Sequence, residues 1–261
     1  MRYKLAALDL DGTLLNSNGT LPIKHVQAVK KAQDAGIIVV IATGKYPMQT
    51  KWIVDQLGFN GILITHDGAA IIKSSTWELI HEYSYSINEI SPLIAYCRKN
   101  NIDFSMCTAF DYFTESLQAF QENDYTKFDI TPSFQNDVLQ IKDRIMKLTI
   151  NDKKKVGGWQ EMDLPSNIRK RVDLEFFKEY IPFDAYKTNG LKKVLNMYGI
   201  NSSEIIAIGD YYNDIDMLQF AGVGIAMDNA PDDVKEIADD VTNSNDNDGV
   251  FHAFEKYLFY V

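Results

Sequence analysis

The chain predicts an α/β protein, a doubly wound parallel sheet interrupted by an inserted α+β domain. Three observations carry that expectation. The first eighty residues alternate short apolar runs with amphipathic segments, the rhythm of strand–helix–strand units in a parallel sheet. The rhythm breaks after about Glu82 and resumes at Lys187. Three of the apolar runs end in polar residues of one kind: Asp9 and Asp11, then Thr43-Gly44-Lys45, then Gly209-Asp210.

The first run, Leu5–Leu8, is short and wholly apolar, as a strand covered on both faces must be. An Asn-Gly turn within Asn16–Thr20 suggests a small hairpin beside it. Pro22 opens a helix that runs through Ala35 and is ended by Gly36. Ile37–Ala42 is a second buried strand, a helix follows to about Leu57, and Ile62–Ile64 is a third strand, placed before Asp67-Gly68. In the middle of the chain, short strands are expected around Phe104–Met106, Tyr112–Glu115, Met146–Ile150 and Val172–Phe177. Helices are expected near Ile90–Asn100 and Gln118–Tyr125, with a polar loop at Asn151–Lys155. From Lys187 the order is helix Gly190–Tyr198, strand Ile205–Ile208, helix Asp214–Phe220 and strand Val223–Ala226. The expected division is residues 1–82 and 185–261 for the α/β part and 83–184 for the insert, with a cleft at their junction.

Bulk properties narrow the function. A chain of 261 residues with 46% hydrophobic content can bury a large core, and nothing in it reads as disordered. A formal charge of −10 argues against nucleic acid or an anionic membrane as partner. From Glu204 onward the basic residues are Lys235 and Lys256 alone, so an anionic substrate would need local cations. Cys97 and Cys107 are too few for a disulfide framework or a zinc site and read as reduced thiols. No run approaches membrane-spanning length and no signal peptide precedes the first strand, so a soluble, cytoplasmic monomer or homodimer is expected.

The strand ends carry the chemistry. Residues i and i+2 of a strand share a face, so Asp9 and Asp11 project together and require a cation or a shared proton between them. A calcium loop counted from Asp9 fails, because positions five and twelve are Thr13 and Thr20. Parallel strands place their carboxyl ends on one edge of the sheet, where ligands bind. Asp9, Asp210 and Asp214 are hard oxygen ligands suited to Mg²⁺. Thr43 offers a hydroxyl and backbone amides at a helix start, a natural anion site, and Lys187 supplies positive charge. Carboxylates, a divalent ion, a hydroxyl and a lysine together describe phosphoryl transfer. A P-loop is excluded, since its first glycine position is Val39 and Tyr46 follows Lys45. Neither a nucleophile elbow nor a His-Glu-x-x-His motif occurs, and His25, His66, His81 and His252 are scattered, reading as surface or hinge residues.

Asp9-Leu10-Asp11-Gly12-Thr13, Ala42-Thr43-Gly44, Lys187 and Gly209-Asp210-x-x-Asn213-Asp214 resemble, in order, the four motifs of the haloacid dehalogenase superfamily. The Cof-type phosphatase branch, with a large cap inserted between the second and third motifs, is the most similar. The segments Gly224–Pro231, Val234-Lys235, Ala238-Asp239 and Asp248-Gly249-Val250 also look like that branch. The resemblance implies a Rossmann-like catalytic core and an α+β cap that selects the substrate. It implies Asp9 as nucleophile through an aspartyl-phosphate, and Asp11 as general acid and base. Thr43, Gly44, Lys45, Lys187 and Asn213 would bind phosphate. Mg²⁺ would be held by Asp9, the Asp11 backbone carbonyl and Asp210, with Asp214 supporting that shell or orienting Lys187. The implied activity is Mg²⁺-dependent hydrolysis of small phosphorylated metabolites, sugar phosphates foremost. A phosphomutase and a non-catalytic phosphometabolite sensor are the alternatives.

Three residues depart from the family pattern. Lys45 stands where arginine is usual, which keeps the charge but loses the bidentate fork. Asp67 stands where asparagine is usual, a change expected to alter loop hydrogen bonding. The aromatic stretch Phe176–Tyr186 is long, so Lys187 is preferred as the third motif over Lys192 and Lys193, which read as exposed. In the insert, Phe110, Tyr112, Phe113 and Trp159 read as core or rim residues, and Lys153–Lys155 and Arg169–Arg171 as solvated basic faces.

Overall fold

A computed structural model describes residues 2–117 and 132–259; the helix expected at Gln118–Tyr125 lies outside them. Along the chain, β1 (Leu5–Leu8) leads to α1 (Ile23–Asp34), β2 (Ile38–Ala42), α2 (Pro47–Leu57) and β3 (Ile62–Thr65). Two further strands follow, β4 (Ala70–Lys73) and β5 (Glu78–Glu82). Then come α3 (Ile87–Asn100), β6 (Asp103–Cys107), β7 (Tyr112–Thr114), β8 (Ser133–Phe134) and β9 (Lys147–Asn151). The strands β10 (Ile168–Leu174) and β11 (Phe177–Pro182) close this middle part. The chain ends with α4 (Lys187–Tyr198), β12 (Ile205–Gly209), α5 (Ile215–Phe220), β13 (Val223–Ala226), α6 (Asp232–Ile237), β14 (Asp240–Val241) and α7 (Gly249–Phe254).

The chain divides into two compact units. One comprises Met1–Lys45, Thr50–His81 and Tyr186–Val261; the other comprises Tyr46–Gln49 and Glu82–Ala185. The first is built on an eight-stranded sheet of order β14-β13-β12-β1-β2-β3-β4-β5. Its strands pair in parallel from β14 to β3, and β4 turns back antiparallel on β3. The doubly wound parallel sheet of the sequence reading is therefore present, extended by the unforeseen β4 and β5. That extension was hard to read because β5, Glu78-Leu79-Ile80-His81-Glu82, buries none of its residues fully and carries charge at both ends. A half-covered edge strand lacks the continuous apolar run that marks a central one.

Both faces of the central strands are covered. Leu5 and Ala7 of β1 join a core with Val40, Ile64, Leu191, Val194, Ile205 and Met217, while Ala6 and Leu8 are buried on the opposite face. Each of the leucine, isoleucine, valine and methionine side chains taken from water here contributes about 1.5–3 kcal/mol, which is why these strands read as unbroken apolar runs. Pro22 caps α1 rather than opening it, and Gly36 follows the helix with φ +80°. The chain winds outward from β1 to β3 on one side and from β12 to β14 on the other. The reversal of strand order falls between β1 and β12, where doubly wound sheets bind ligands.

The second unit carries a six-stranded sheet, β10-β11-β9-β6-β7-β8, antiparallel except at β7–β8. Its core gathers Tyr85, Ile94, Met106, Leu148, Ile150, Trp159 and Tyr180. The single strand expected over Val172–Phe177 is a hairpin turning at Glu175-Phe176. Periodicity missed the turn because it holds no glycine, proline or asparagine. Arg169-Lys170-Arg171 lies on β10, with Lys170 3.3 Å from Asp173 and Arg171 2.7 Å from Glu179. Trp159 and Tyr112 are buried. Cys97 and Cys107 are buried free thiols, pushed by burial up to about 12 and thus held protonated. No helix among the described residues is long and apolar enough to cross a membrane.

Candidate active site

Each polar strand end sits where its strand leaves the sheet. Asp9 follows β1, and its N–H donates to the Ile208 carbonyl of β12 at 3.0 Å, which fixes it at the seam where strand order reverses. Thr43 follows β2 and donates its N–H to Ile64 at 2.8 Å. Asp210 follows β12, and Asp214 closes the next turn, Tyr212–Asp214. Lys187 is the first residue of α4. Asp9, Thr43, Lys187 and Asp214 are all buried.

Lys187 organises the interior of the site. Its Nζ lies 2.5 Å from Asp9 Oδ1 and 2.7 Å from Asp214 Oδ1. Burial works to neutralise this ammonium, but Asp214, Asp9 and Asp67 outweigh it, so its pKa is raised and the lysine stays charged. The other carboxylate oxygen of Asp214 accepts from the backbone N–H groups of Asp210 and Tyr211 at 3.0 and 3.1 Å. Asp214 thus has both oxygens engaged. Lys192 is exposed, with its ammonium over the Phe220 ring, whereas Lys193 is half-buried rather than exposed as expected.

The acids outnumber that one cation. Asp9, Asp210 and Asp214 each present an oxygen within 4.8 Å of the others. Burial raises the Asp9 carboxyl well above the ordinary carboxylate value, with Lys187 opposing and Asp214 and Asp210 adding. Burial first, then the Asp214 charge, push Asp210 up to about 6. Hard oxygens this close, with Asp9 and Asp210 disfavoured as anions by burial and by the acids beside them, suit a divalent cation. Gly12 makes the approach of Asp210 feasible. Its φ is +80°, and a Cβ there would lie 2.2 Å from Asp210 Oδ2.

Three residues unassigned by the sequence reading complete this side. Thr13 Oγ1 donates to Asp210 Oδ1 at 3.1 Å. Asn229 Nδ2 donates to the Gly12 carbonyl at 2.8 Å, and its Oδ1 accepts from the Asn245 N–H at 3.0 Å. Asn245 in turn reaches the Leu15 carbonyl at 2.9 Å. Asn229 stood within a tail segment already noted for its resemblance, which was the available signal; its bond to Gly12 spans 217 positions and leaves no local pattern.

On the opposite side, Asn213 does not stand free. Its Nδ2 donates to Asp67 Oδ1 at 2.9 Å. Asp67 has φ +53° and His66 φ +52°, and their N–H groups donate to the Thr43 and Lys45 carbonyls at 3.0 and 2.9 Å. Left-handed backbone at two successive non-glycine residues is costly and collects at functional sites. Gly68 continues the turn at φ +105°, its Cβ position 2.0 Å from the Tyr186 carbonyl just before Lys187. Asp67 therefore links Thr43, Asn213 and the electrostatics of Lys187. Lys45 lies apart from this interior, with its Nζ 2.8 and 2.6 Å from the two Asp11 oxygens. Gly44 is half-buried between Thr43 and Lys45.

Expected as surface or hinge residues, His25 and His66 are not at the surface: both are buried. His25 lies on the inner face of α1, and a ring nitrogen bonded to the Leu14 carbonyl at 2.9 Å compensates its burial.

Fold and site together define a hydrolase core of the α/β class with an acidic, lysine-bearing site at its strand ends. Comparison with known proteins gives the family. The chain matches the model of the haloacid dehalogenase-like hydrolases over residues 6–254, and it belongs to that family, in the Cof-type phosphatase branch. It is 30% identical to the 5-amino-6-(5-phospho-D-ribitylamino)uracil phosphatase YcsE of Bacillus subtilis, covering 98% of this chain and 96% of that one. It is 28% identical to the phosphatase YwpJ of the same organism, covering 98% and 100%. A solved haloacid dehalogenase-like hydrolase from Bacteroides thetaiotaomicron superposes with a TM-score of 0.82 at 29% identity, covering 97% of this chain and 99% of that one.

Proposed function

We propose that the protein is a Mg²⁺-dependent phosphatase that hydrolyses small phosphorylated metabolites, sugar or polyol phosphates foremost, through an aspartyl-phosphate. The observation that carries the reading is Asp9, a buried carboxylate held 2.5 Å from a buried ammonium beside two further acids. Asp9 and Asp210 would hold the ion, with the Asp11 carbonyl. When bound, it offsets carboxylate and phosphate charge so that an anion can approach an anion. The relatives named for a phosphorylated ribitylamino-uracil support a polyol phosphate as the substrate class.

Asp9 attacks phosphorus, forming an Oδ–P bond as the ester P–O bond breaks. Asp11 gives its proton to the departing alkoxide, which leaves as the alcohol. In the second half, Asp11 takes a proton from water, the water oxygen attacks phosphorus, and the Asp9–P bond breaks to free inorganic phosphate. Lys187 keeps Asp9 oriented for attack and faces the phosphoryl oxygens with positive charge, while Thr43 and its amides bind the same oxygens. Asp214, its oxygens already engaged, acts by positioning Lys187. Asn213, tied to Asp67, contributes to the phosphate side through that link.

Hydrolysis of p-nitrophenyl phosphate and of a panel of sugar and polyol phosphates tests the reading. Turnover with Mg²⁺ and none with EDTA is expected. A folded protein inactive on every ester in Mg²⁺ would overturn it. Asp9→Asn is expected to remove all measurable activity while leaving the fold intact, and full activity in that variant would sink the covalent mechanism.

A further inference from the structure

We propose that Lys45 is a positioning residue for Asp11, holding the proton donor in place, rather than a ligand of the substrate phosphate. The inference rests on the phosphatase reading above and assigns one further residue within it.

Four observations carry it. Lys45 has its backbone held on both sides: its N–H donates to Thr43 Oγ1 at 3.2 Å, and its carbonyl accepts from the His66 N–H at 2.9 Å. The root of this side chain is therefore fixed to the same loop that carries Thr43. Its ammonium then lies astride the Asp11 carboxylate, 2.8 Å from Oδ1 and 2.6 Å from Oδ2. Among the described residues, no other side chain or backbone group pairs with the Asp11 carboxylate. Asp11 is also the open member of the strand-end pair, its side chain 59% exposed where that of Asp9 is 9% exposed. An exposed aspartate without a partner samples several rotamers, and a general acid that samples several rotamers is seldom in reach of its leaving group.

The pair matters for orientation more than for stability. Ion pairs with this much exposure contribute little to stability. A phosphate-binding role would instead place the Lys45 ammonium with Lys187, inside the acidic cluster, and it is not there.

The two roles differ in what they do to substrates with different leaving groups. An alkyl phosphate expels a strongly basic alkoxide and depends on the acid; p-nitrophenyl phosphate expels a stable phenolate and barely does. Lys45→Met should therefore lower kcat for an alkyl phosphate such as glycerol phosphate or a sugar phosphate by about 10- to 100-fold, up to the lower end of full general-acid effects because the acid is misplaced rather than removed. For p-nitrophenyl phosphate kcat should change by less than about threefold, with KM little altered for either. Lys45→Arg should restore most of the alkyl rate. In an Asp11→Asn background, Lys45→Met should cost nothing further. Equal losses on both substrates, a rise in KM with kcat intact, or additive losses with Asp11→Asn would overturn the assignment and return Lys45 to the phosphate. Should Lys45→Met fold poorly, Lys45→Gln, which keeps the length and a polar end but removes the charge, decides by the same ratio of alkyl to aryl rates. A wild-type protein inactive on both esters would instead defeat the phosphatase reading, and the assignment with it.

Discussion

Lys187 is the residue on which the interior of the site turns, because a buried ammonium and two buried carboxylates are each costly alone. Their separations of 2.5 and 2.7 Å leave each charge dependent on the others. Lys187→Met keeps the length and removes the charge, leaving Asp9 and Asp214 to face each other. Urea unfolding is expected to show a loss of about 3–5 kcal/mol, as for other broken buried pairs, alongside loss of activity. An unchanged unfolding midpoint would mean that the two acids take up protons at no cost. Asp67, flagged in the sequence only as a departure from pattern, shows why single positions are hard to read. Its importance comes from Asn213 and Lys187, which lie 146 and 120 positions away in the chain.

At the scale of elements, the turn His66–Gly68 and the loop after β9 are held by different means. The turn is held by strain and fit: Gly68 sits at φ +105° with its Cβ position 2.0 Å from the Tyr186 carbonyl. Gly68→Ala must shift the start of α4, which Lys187 opens. A loss of about 1–3 kcal/mol in thermal unfolding is expected, as for other strained backbone positions, together with reduced turnover.

The loop is held by one carboxylate. Buried Asp152 accepts from the Gly157 N–H at 2.8 Å, the Trp159 indole N–H at 3.0 Å and the Val156 N–H at 3.0 Å. Burial acts to raise its pKa, but these bonds outweigh burial and lower it. A lowered carboxyl pKa means that the folded state holds its proton less tightly than the unfolded chain. Its stabilisation is therefore complete above the ordinary carboxylate pKa and is lost as pH falls through the lower, folded value. Unfolding of the second unit, followed by the fluorescence of buried Trp159 with Trp52 and Trp77 replaced by phenylalanine, should show that acid decline. Asp152→Asn should flatten it and cost about 1–3 kcal/mol at neutral pH, the usual cost of leaving buried donors unpaired.

At the scale of the whole molecule, the charge of −10 is spread widely, but the need for a counter-ion is local. Asp9 and Asp210 are both raised by burial and by their acidic neighbours. Mg²⁺ should therefore stabilise the protein even without substrate, by about 2.7 kcal/mol at a hundredfold excess over its dissociation constant. Differential scanning fluorimetry should show the melting temperature rising with Mg²⁺ by several degrees, falling back with EDTA and moving little in Asp210→Asn. A melting temperature indifferent to Mg²⁺ in the wild type would count against the metal site.

How much was legible follows from where the information lies. The central strands were readable because burial on both faces demands unbroken apolar runs, and the polar residues closing those runs stand out against them. Asp9, Thr43, Lys187, Asp210 and Asp214 could be picked out that way, since each lies at or just beyond a strand end or at a helix start. The edge strand β5 and the hairpin β10–β11 were not readable, because half-exposed strands and turns without glycine or proline leave weak local patterns. The sequence by itself determined the class of fold, the order of its strand-end motifs and the chemical types gathered there. These depend on periodicity and composition, which act over a few neighbouring residues. Only the tertiary structure decided the pairings: Lys187 between Asp9 and Asp214, Thr13 and Asn229 around Asp210 and Gly12, Asp67 with Asn213, and Lys45 with Asp11. Such pairs join residues up to 217 positions apart, and only the sheet that brings strand ends to one edge can select them.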